Sequence, residues 1–275
     1  MQKQNRYIAF AVALIGIMFL VYLLAFYGAV DKEGRTFVIL ADLFPVVAAL
    51  FGVTAISGHL RRLEKGEKLK KFWILVDLSL ALWLVAETTW FVYEGVLGRT
   101  VPYPSVADFF WLIGYLPLIA AITGLLIGYK KLGLRFNWRR SAWVIPLVAA
   151  IIAIVIIFVG SPIVTSSEAT TADKIINPTY AFLDLLILVP ALVFALTLGG
   201  GSVGRPSVFI SLALIALAVG DIAYISLTWN GLYSSGNFID MFWVAGYLLF
   251  GIAAVHFTGM RESRARESAL PAPGL

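Results

Sequence analysis

Apolar residues run in blocks of about twenty along nearly the whole chain, and polar residues gather in short clusters between the blocks. Windows of that length place helices near 7–30, 36–57, 72–94, 106–129, 142–160, 179–198, 207–229 and 238–260. A helix rises 1.5 Å per residue, so each block matches a hydrocarbon core about 30 Å thick. The expected fold is all-α, a polytopic membrane protein of about eight transmembrane helices. The first block follows a basic start, Met1 to Arg6. It is longer than a signal peptide's apolar region and lacks a small-x-small cleavage site, so it reads as a retained helix.

Composition agrees with the pattern: 60% of residues are hydrophobic and only 13% charged, about half the charge of a soluble domain. The spans use up nearly all 275 residues and leave no room for a domain outside the membrane. The net charge of +5 is explained by loop placement and does not point to nucleic acid. The absence of cysteine excludes disulfides, thiolate metal sites and cysteine nucleophiles.

With an even number of spans and the start inside, the cytoplasmic segments hold Lys3, Arg6, Arg61, Arg62, Lys65, Lys68, Lys70 and Lys71, then Lys130, Lys131, Arg135, Arg139, Arg140, Arg205, Arg261, Arg264 and Arg266. That is 17 of the 21 basic residues, with Lys32, Arg35, Arg99 and Lys174 outside. The positive-inside rule therefore predicts a cell (plasma) membrane protein with both termini cytoplasmic. Tyr93, Tyr103, Tyr180, Trp229 and Tyr233 are expected at the outer interface, and Trp73, Tyr129, Trp138 and Trp143 at the inner one. Gly124 and Gly128 form a G-x-x-x-G pair that would permit close helix approach.

The fourth block opens Asp108-Phe109-Phe110-Trp111-Leu112-Ile113-Gly114-Tyr115 and the eighth Asp240-Met241-Phe242-Trp243-Val244-Ala245-Gly246-Tyr247, identical at five of eight positions. Glu87 with Trp90 corresponds to Asp221 with Tyr224, and Asp42-Leu43 to Asp184-Leu185. These matches predict a 4+4 repeat: residues 1–135 and 136–260, then a cytoplasmic tail over 261–275. An even number of spans per half makes the copies parallel.

A carboxylate in mid-membrane costs about 2.5–3.5 kcal/mol on insertion scales, so the embedded acids call for a reason. Asp42, Glu87, Asp108, Asp184, Asp221 and Asp240 all fall in the expected outer half. Asp108, Trp111 and Tyr115, like Asp240, Trp243 and Tyr247, stand at i, i+3 and i+7 and share a helix face; Glu87–Trp90 and Asp221–Tyr224 are i, i+3 neighbours. Turned inward, these faces would line an acidic, aromatic cavity suited to a cation, a proton or a protonated amine. The competing readings are helix caps for Asp108 and Asp240, capping turns for Asp42 and Asp184, and satisfied interhelical bonds for Glu87 and Asp221. Asp77, near the inner end of its span, reads as an interface residue.

No lysine lies in the seventh or eighth span, which excludes a retinal Schiff base of rhodopsin type. His59 and His256 sit toward inner helix ends, a poor arrangement for paired haem ligands. The sequence has no P-loop, His-Glu-x-x-His, Gly-x-Ser-x-Gly or Asp-rich prenyl diphosphate motif and offers no catalytic residues, while cofactor and metal stay unknown. Gly199-Gly200-Gly201-Ser202 reads as a flexible turn.

The run Pro104-Ser105-Val106-Ala107-Asp108-Phe109-Phe110-Trp111-Leu112-Ile113-Gly114-Tyr115 resembles one in the multi-helix membrane input regions of bacterial and archaeal signalling proteins, which precede PAS, histidine kinase or diguanylate cyclase modules. Asn230-Gly231-Leu232-Tyr233, Asp240 and Gly246-Tyr247-Leu248-Leu249 look like a second such signature, and the likeness covers about residues 70–260. The resemblance implies a membrane sensor whose output comes from a cytoplasmic signalling partner, since no output module follows Met260 here. The expected function is thus a non-enzymatic sensor or ligand-binding protein. A small transporter or proton-coupled carrier using the same carboxylates is the alternative, followed by an intramembrane lipid-modifying enzyme.

Overall fold

The computed structural model describes residues 2–67, 69–131, 143–197 and 204–269, and these form eight helices long and apolar enough to cross a bilayer, with no strand. They are α1 (Gln2–Phe26), α2 (Arg35–Leu60), α3 (Lys70–Phe91), α4 (Val106–Lys131), α5 (Val144–Val155), α6 (Thr171–Thr197), α7 (Gly204–Trp229) and α8 (Asp240–Ala269). Helix α3 runs on through a π-helical turn, Val92–Val96, and α5 through a second one, Ile156–Gly160, into Ser161–Thr165. Lys68, Arg135, Trp138, Arg139, Arg140, the 199–202 turn and the 135/136 division lie outside the described residues. So do the side chains of Lys3, Tyr129, Lys130, Lys131, Arg205, Arg264 and Arg266.

Six helices close a ring: α2 packs on α3, α3 on α4, α4 on α6, α6 on α7, α7 on α8, and α8 returns to α2. Helix α1 lies outside the ring against α8 and α2, and α5 lies outside it against α6 and α7. Small residues set the closest crossings. A Cβ on Gly52 would stand 3.0 Å from the Tyr247 carbonyl oxygen, and one on Gly251 would stand 3.3 Å from Gly52 Cα, so α2 and α8 touch backbone to backbone. Gly114 lies directly under the Trp83 indole. That contact lets Ser79 Oγ donate to the Gly114 carbonyl at 2.6 Å and Trp83 Nε1 to the Trp111 carbonyl at 2.9 Å, fixing α3 to α4. The Gly124 and Gly128 positions meet nothing within 4 Å, so the expected G-x-x-x-G approach is not made among the described residues.

The sixth span starts eight residues before its expected position at 179. Pro178 looks like a boundary, but Thr170 and Asp173 form a capping box upstream of it. Thr170 N and Oγ1 donate to Asp173 Oδ2 at 2.8 and 2.6 Å, and Asp173 N donates back to Thr170 Oγ1 at 3.2 Å. The helix is established before the proline, which costs it one backbone bond. Asp184 therefore lies thirteen residues into α6, roughly 20 Å at 1.5 Å per residue, and is no capping-turn residue. The expected tail at 261 is likewise continuous helix as far as Ala269.

Two belt expectations also change. Trp73, placed at the inner interface by its position near a helix end, is fully buried, edge-on to His59 with ring centroids 5.1 Å apart. Tyr180 and Tyr233, placed at the outer interface, turn inward instead, because carboxylates inside the ring accept their hydroxyls.

Candidate functional site: an acidic, aromatic-lined cavity

Inside the ring, toward the end that carries the α3–α4 and α7–α8 loops, lies a cavity with a free volume of about 80 Å³. Asp42, Glu87, Trp90, Asp108, Trp111, Tyr115, Asp221, Tyr224, Asp240, Trp243 and Tyr247 all line it. Of the residues singled out in the sequence, only Asp184 does not: it is completely buried behind Tyr115. Among the described residues no Lys, Arg or His lines it.

The periodic spacing places the chemistry. In α4, Trp111 Nε1 donates to Glu87 Oε1 of α3 at 3.3 Å; in α8, Trp243 Nε1 donates to Asp221 Oδ1 of α7 at 2.6 Å. One turn further along, Tyr247 Oη donates to Glu87 Oε1 at 2.6 Å, which joins α8 to α3. Tyr115 Oη lies 2.5 Å from Asp184 Oδ1 and 2.6 Å from Asp221 Oδ2, which joins α4 to α6 and α7. A hydroxyl has one proton, so Tyr115 donates to one of these oxygens, and the other contact is a hydrogen bond only when that carboxyl donates in return.

Asp108 belongs to a capping box at the start of α4: Ser105 N and Oγ donate to its Oδ2 at 2.7 and 2.9 Å, while Tyr180 Oη of α6 reaches its Oδ1 at 3.3 Å. It is both a cap and a cavity residue. Asp240 caps no amide of its own helix. Its Oδ2 accepts from Gly236 N at 2.8 Å and from Tyr22 Oη of α1 at 3.3 Å, and its Oδ1 accepts from Tyr233 Oη at 3.1 Å. Burial, with Asp240 beside it, pushes the Tyr233 hydroxyl well above its usual pKa, so this loop tyrosine stays a neutral donor.

Asp42 shares one feature with Asp184, whose buried Oδ2 also has no partner, but unlike Asp184 it lines the cavity. It is only 6% exposed, and its Oδ2 has no hydrogen-bond partner. Three residues on, Pro45 has no N–H to give the Ala41 carbonyl its usual helical bond, and Ala41 and Pro45 both line the cavity.

Aromatic rings fill the gaps between the acids. Trp90 lies 5.7 Å from Trp111 and 6.5 Å from Tyr224, and Tyr224 lies 5.7 Å from Trp243 and 4.6 Å from Tyr233. At the rim, Tyr103 Oη donates to Asn177 Oδ1 at 3.1 Å, bridging the α3–α4 loop to α6. Glu94 went unnoticed in the sequence: its Oε2 accepts from Trp90 Nε1 at 2.9 Å and from Ser235 Oγ at 2.7 Å. Glu87, Trp90 and Glu94 stand at i, i+3 and i+7, the same spacing that singled out Asp108, Trp111 and Tyr115, so the signal was present.

The other end of the bundle is built differently. Arg62 pairs with Glu262 and Arg261 with Glu67, each at 2.6 Å and partly exposed, tying the α2–α3 loop to α8. Below them, His59 Nδ1 lies 2.7 Å from Thr258 Oγ1, and Ser57 Oγ donates to Asp77 Oδ2 at 2.8 Å, so Asp77 is bonded inside the bundle. His256 packs edge-on to Phe209 with centroids 5.8 Å apart.

Comparison of the chain with family models, with characterised proteins and with solved structures finds no match.

Proposed function

We propose that this protein is a membrane sensor that binds a cationic ligand in the cavity and passes the event to a cytoplasmic partner through α2, α3 and α8. The observation that carries this reading is the convergence of five lining carboxylates, from α2, α3, α4, α7 and α8, on one cavity that no basic side chain lines. Acids placed there at a cost in hydrocarbon define a site that recovers stability when a cation enters. The likeness of the Pro104–Tyr115 run to signalling input regions points the same way. So does the far end of the bundle, where Arg–Glu pairs couple the α2–α3 loop to α8.

The orientation we propose puts both termini in the cytoplasm and the cavity toward the outer face of the plasma membrane, as the basic loops require. We also read the chain as a parallel duplication. Exchanging α2, α3, α4 with α6, α7, α8 maps the ring's packing order onto itself. The same exchange carries Trp111–Glu87 onto Trp243–Asp221, and Tyr115–Asp221 onto Tyr247–Glu87.

Spin labels on Lys65 and Ser263, in protein reconstituted into liposomes, test the reading. A change in their separation on adding sodium, calcium or ammonium ions or simple alkylamines, lost in Glu87→Gln and without proton or solute flux, supports sensing. Flux abolished by the same variant makes the protein a carrier instead. The chain has no cysteine, so single cysteines at Leu232 and Lys65 in separate variants report orientation. Only the first should react with an impermeant maleimide added to intact cells.

A further inference from the structure

The rings and the open oxygen of Asp42 narrow the ligand to one chemical class. Of the carboxylates that line the cavity, Asp108 and Asp240 have both oxygens engaged by donors, Asp221 takes the Trp243 indole on Oδ1 and faces the Tyr115 hydroxyl with Oδ2, and Glu87 Oε1 takes two. Asp42 Oδ2 alone is buried, at the cavity and without a donor. A buried acceptor left unpaired is costly, and a ligand N–H is the group that would satisfy it. Ala41, whose carbonyl Pro45 deprives of its helical donor, lines the same cavity one residue away.

Trp90, Trp111, Tyr224 and Trp243 supply aromatic wall for a hydrocarbon body and a positive head. An inorganic divalent ion fits poorly: among the described residues no three Asp, Glu, His or Cys side chains gather as ligands. A free volume of about 80 Å³ gives room for a small organic molecule beside the rings.

We propose that the cavity binds a small protonated primary amine, its ammonium donating to Asp42 Oδ2 and the Ala41 carbonyl and its body lying among the tryptophans. This rests on the ligand-binding reading above and specifies its ligand. The test uses the full chain in lipid nanodiscs, with intrinsic tryptophan fluorescence following titration with phenethylamine, its neutral analogue 2-phenylethanol, and tetramethylammonium. Phenethylamine should bind at least tenfold more tightly than the alcohol, and Asp42→Asn should shrink that ratio to about twofold.

Equal affinity for amine and alcohol, or tighter binding of tetramethylammonium, would overturn the amine proposal while leaving a ligand cavity. The same holds if Asp42→Asn folds and keeps the tenfold ratio. Calcium competing with phenethylamine at comparable affinity would replace the amine with a metal. No response to any of these probes would sink both the amine and the site. Should Asp42→Asn fail to fold, the amine-to-alcohol ratio in the unaltered protein still decides.

Discussion

The two sides of the cavity use the same groups with different results. On the α4–α6–α7 side, two acids, Asp184 and Asp221, share the single hydroxyl of Tyr115. On the α8–α2–α3 side, Tyr247 serves Glu87 alone, and Asp42, which matches Asp184 in the proposed repeat, is left with an open oxygen at the cavity. Each side keeps one unpaired carboxylate oxygen, Asp184 Oδ2 on the first and Asp42 Oδ2 on the second, but of the two acids only Asp42 lines the cavity. The difference between the sides is access: Tyr115 covers the unpaired acid on one, while the acid on the other stands at the cavity wall.

The largest expected effect tests how α4 packs on α3. Gly114→Ala drives a methyl into the Trp83 indole, which is held by its bond to the Trp111 carbonyl, and should destabilise the protein by about 3 kcal/mol. Gly246→Ala meets Leu217, with its Cδ2 2.7 Å from the new Cβ, a side chain that has other rotamers, and should cost less. Thermal unfolding in detergent ranks the two; equal losses would remove this asymmetry.

Tyr115→Phe strips two carboxyls of their shared partner at once and should cost about 2 kcal/mol, at the upper end for interhelical bonds in membranes. Tyr247→Phe leaves Glu87 with the Trp111 indole and should cost about 1 kcal/mol or less. A larger loss in Tyr247→Phe would reverse the assignment of the two sides. Asp42→Asn replaces a buried carboxyl that has no protein donor at Oδ2, so without ligand its melting temperature should stay level or rise. A clear fall would mean that Asp42 is a structural group.

The smallest effect belongs to the far end of the bundle. Arg62 and Glu262 are about half exposed, and an exposed pair contributes roughly 0–1 kcal/mol, so Arg62→Ala should leave unfolding nearly unchanged while loosening the α2–α3 loop from α8. Hydrogen exchange over residues 61–67 reads that loosening.

The existence of eight helices and the faces they turn inward were legible in the chain, because lipid forces every spanning segment to satisfy its own backbone and leaves a long apolar signature. The i, i+3, i+7 spacing likewise marked Asp108, Trp111 and Tyr115 as one surface, since that periodicity is a property of the helix itself. Ends and partners were not legible in the same way. Pro178 hid the start of α6, because a capping box made by Thr170 and Asp173 outweighs the loss of one backbone bond. Glu94 was overlooked at the end of its span, where the π-helical turn carries it to Ser235.

Local sequence determined which residues share a helix face, and with it the acidic and aromatic character of the interior. Only the tertiary ring decided that Tyr115 meets Asp184, 69 positions away, while Tyr247 reaches across 160 positions to Glu87. It alone set Asp42 at the cavity wall and Asp184 behind Tyr115. Contacts of that range depend on which helices are neighbours, a choice made by packing among glycines and large rings and carried by no single segment.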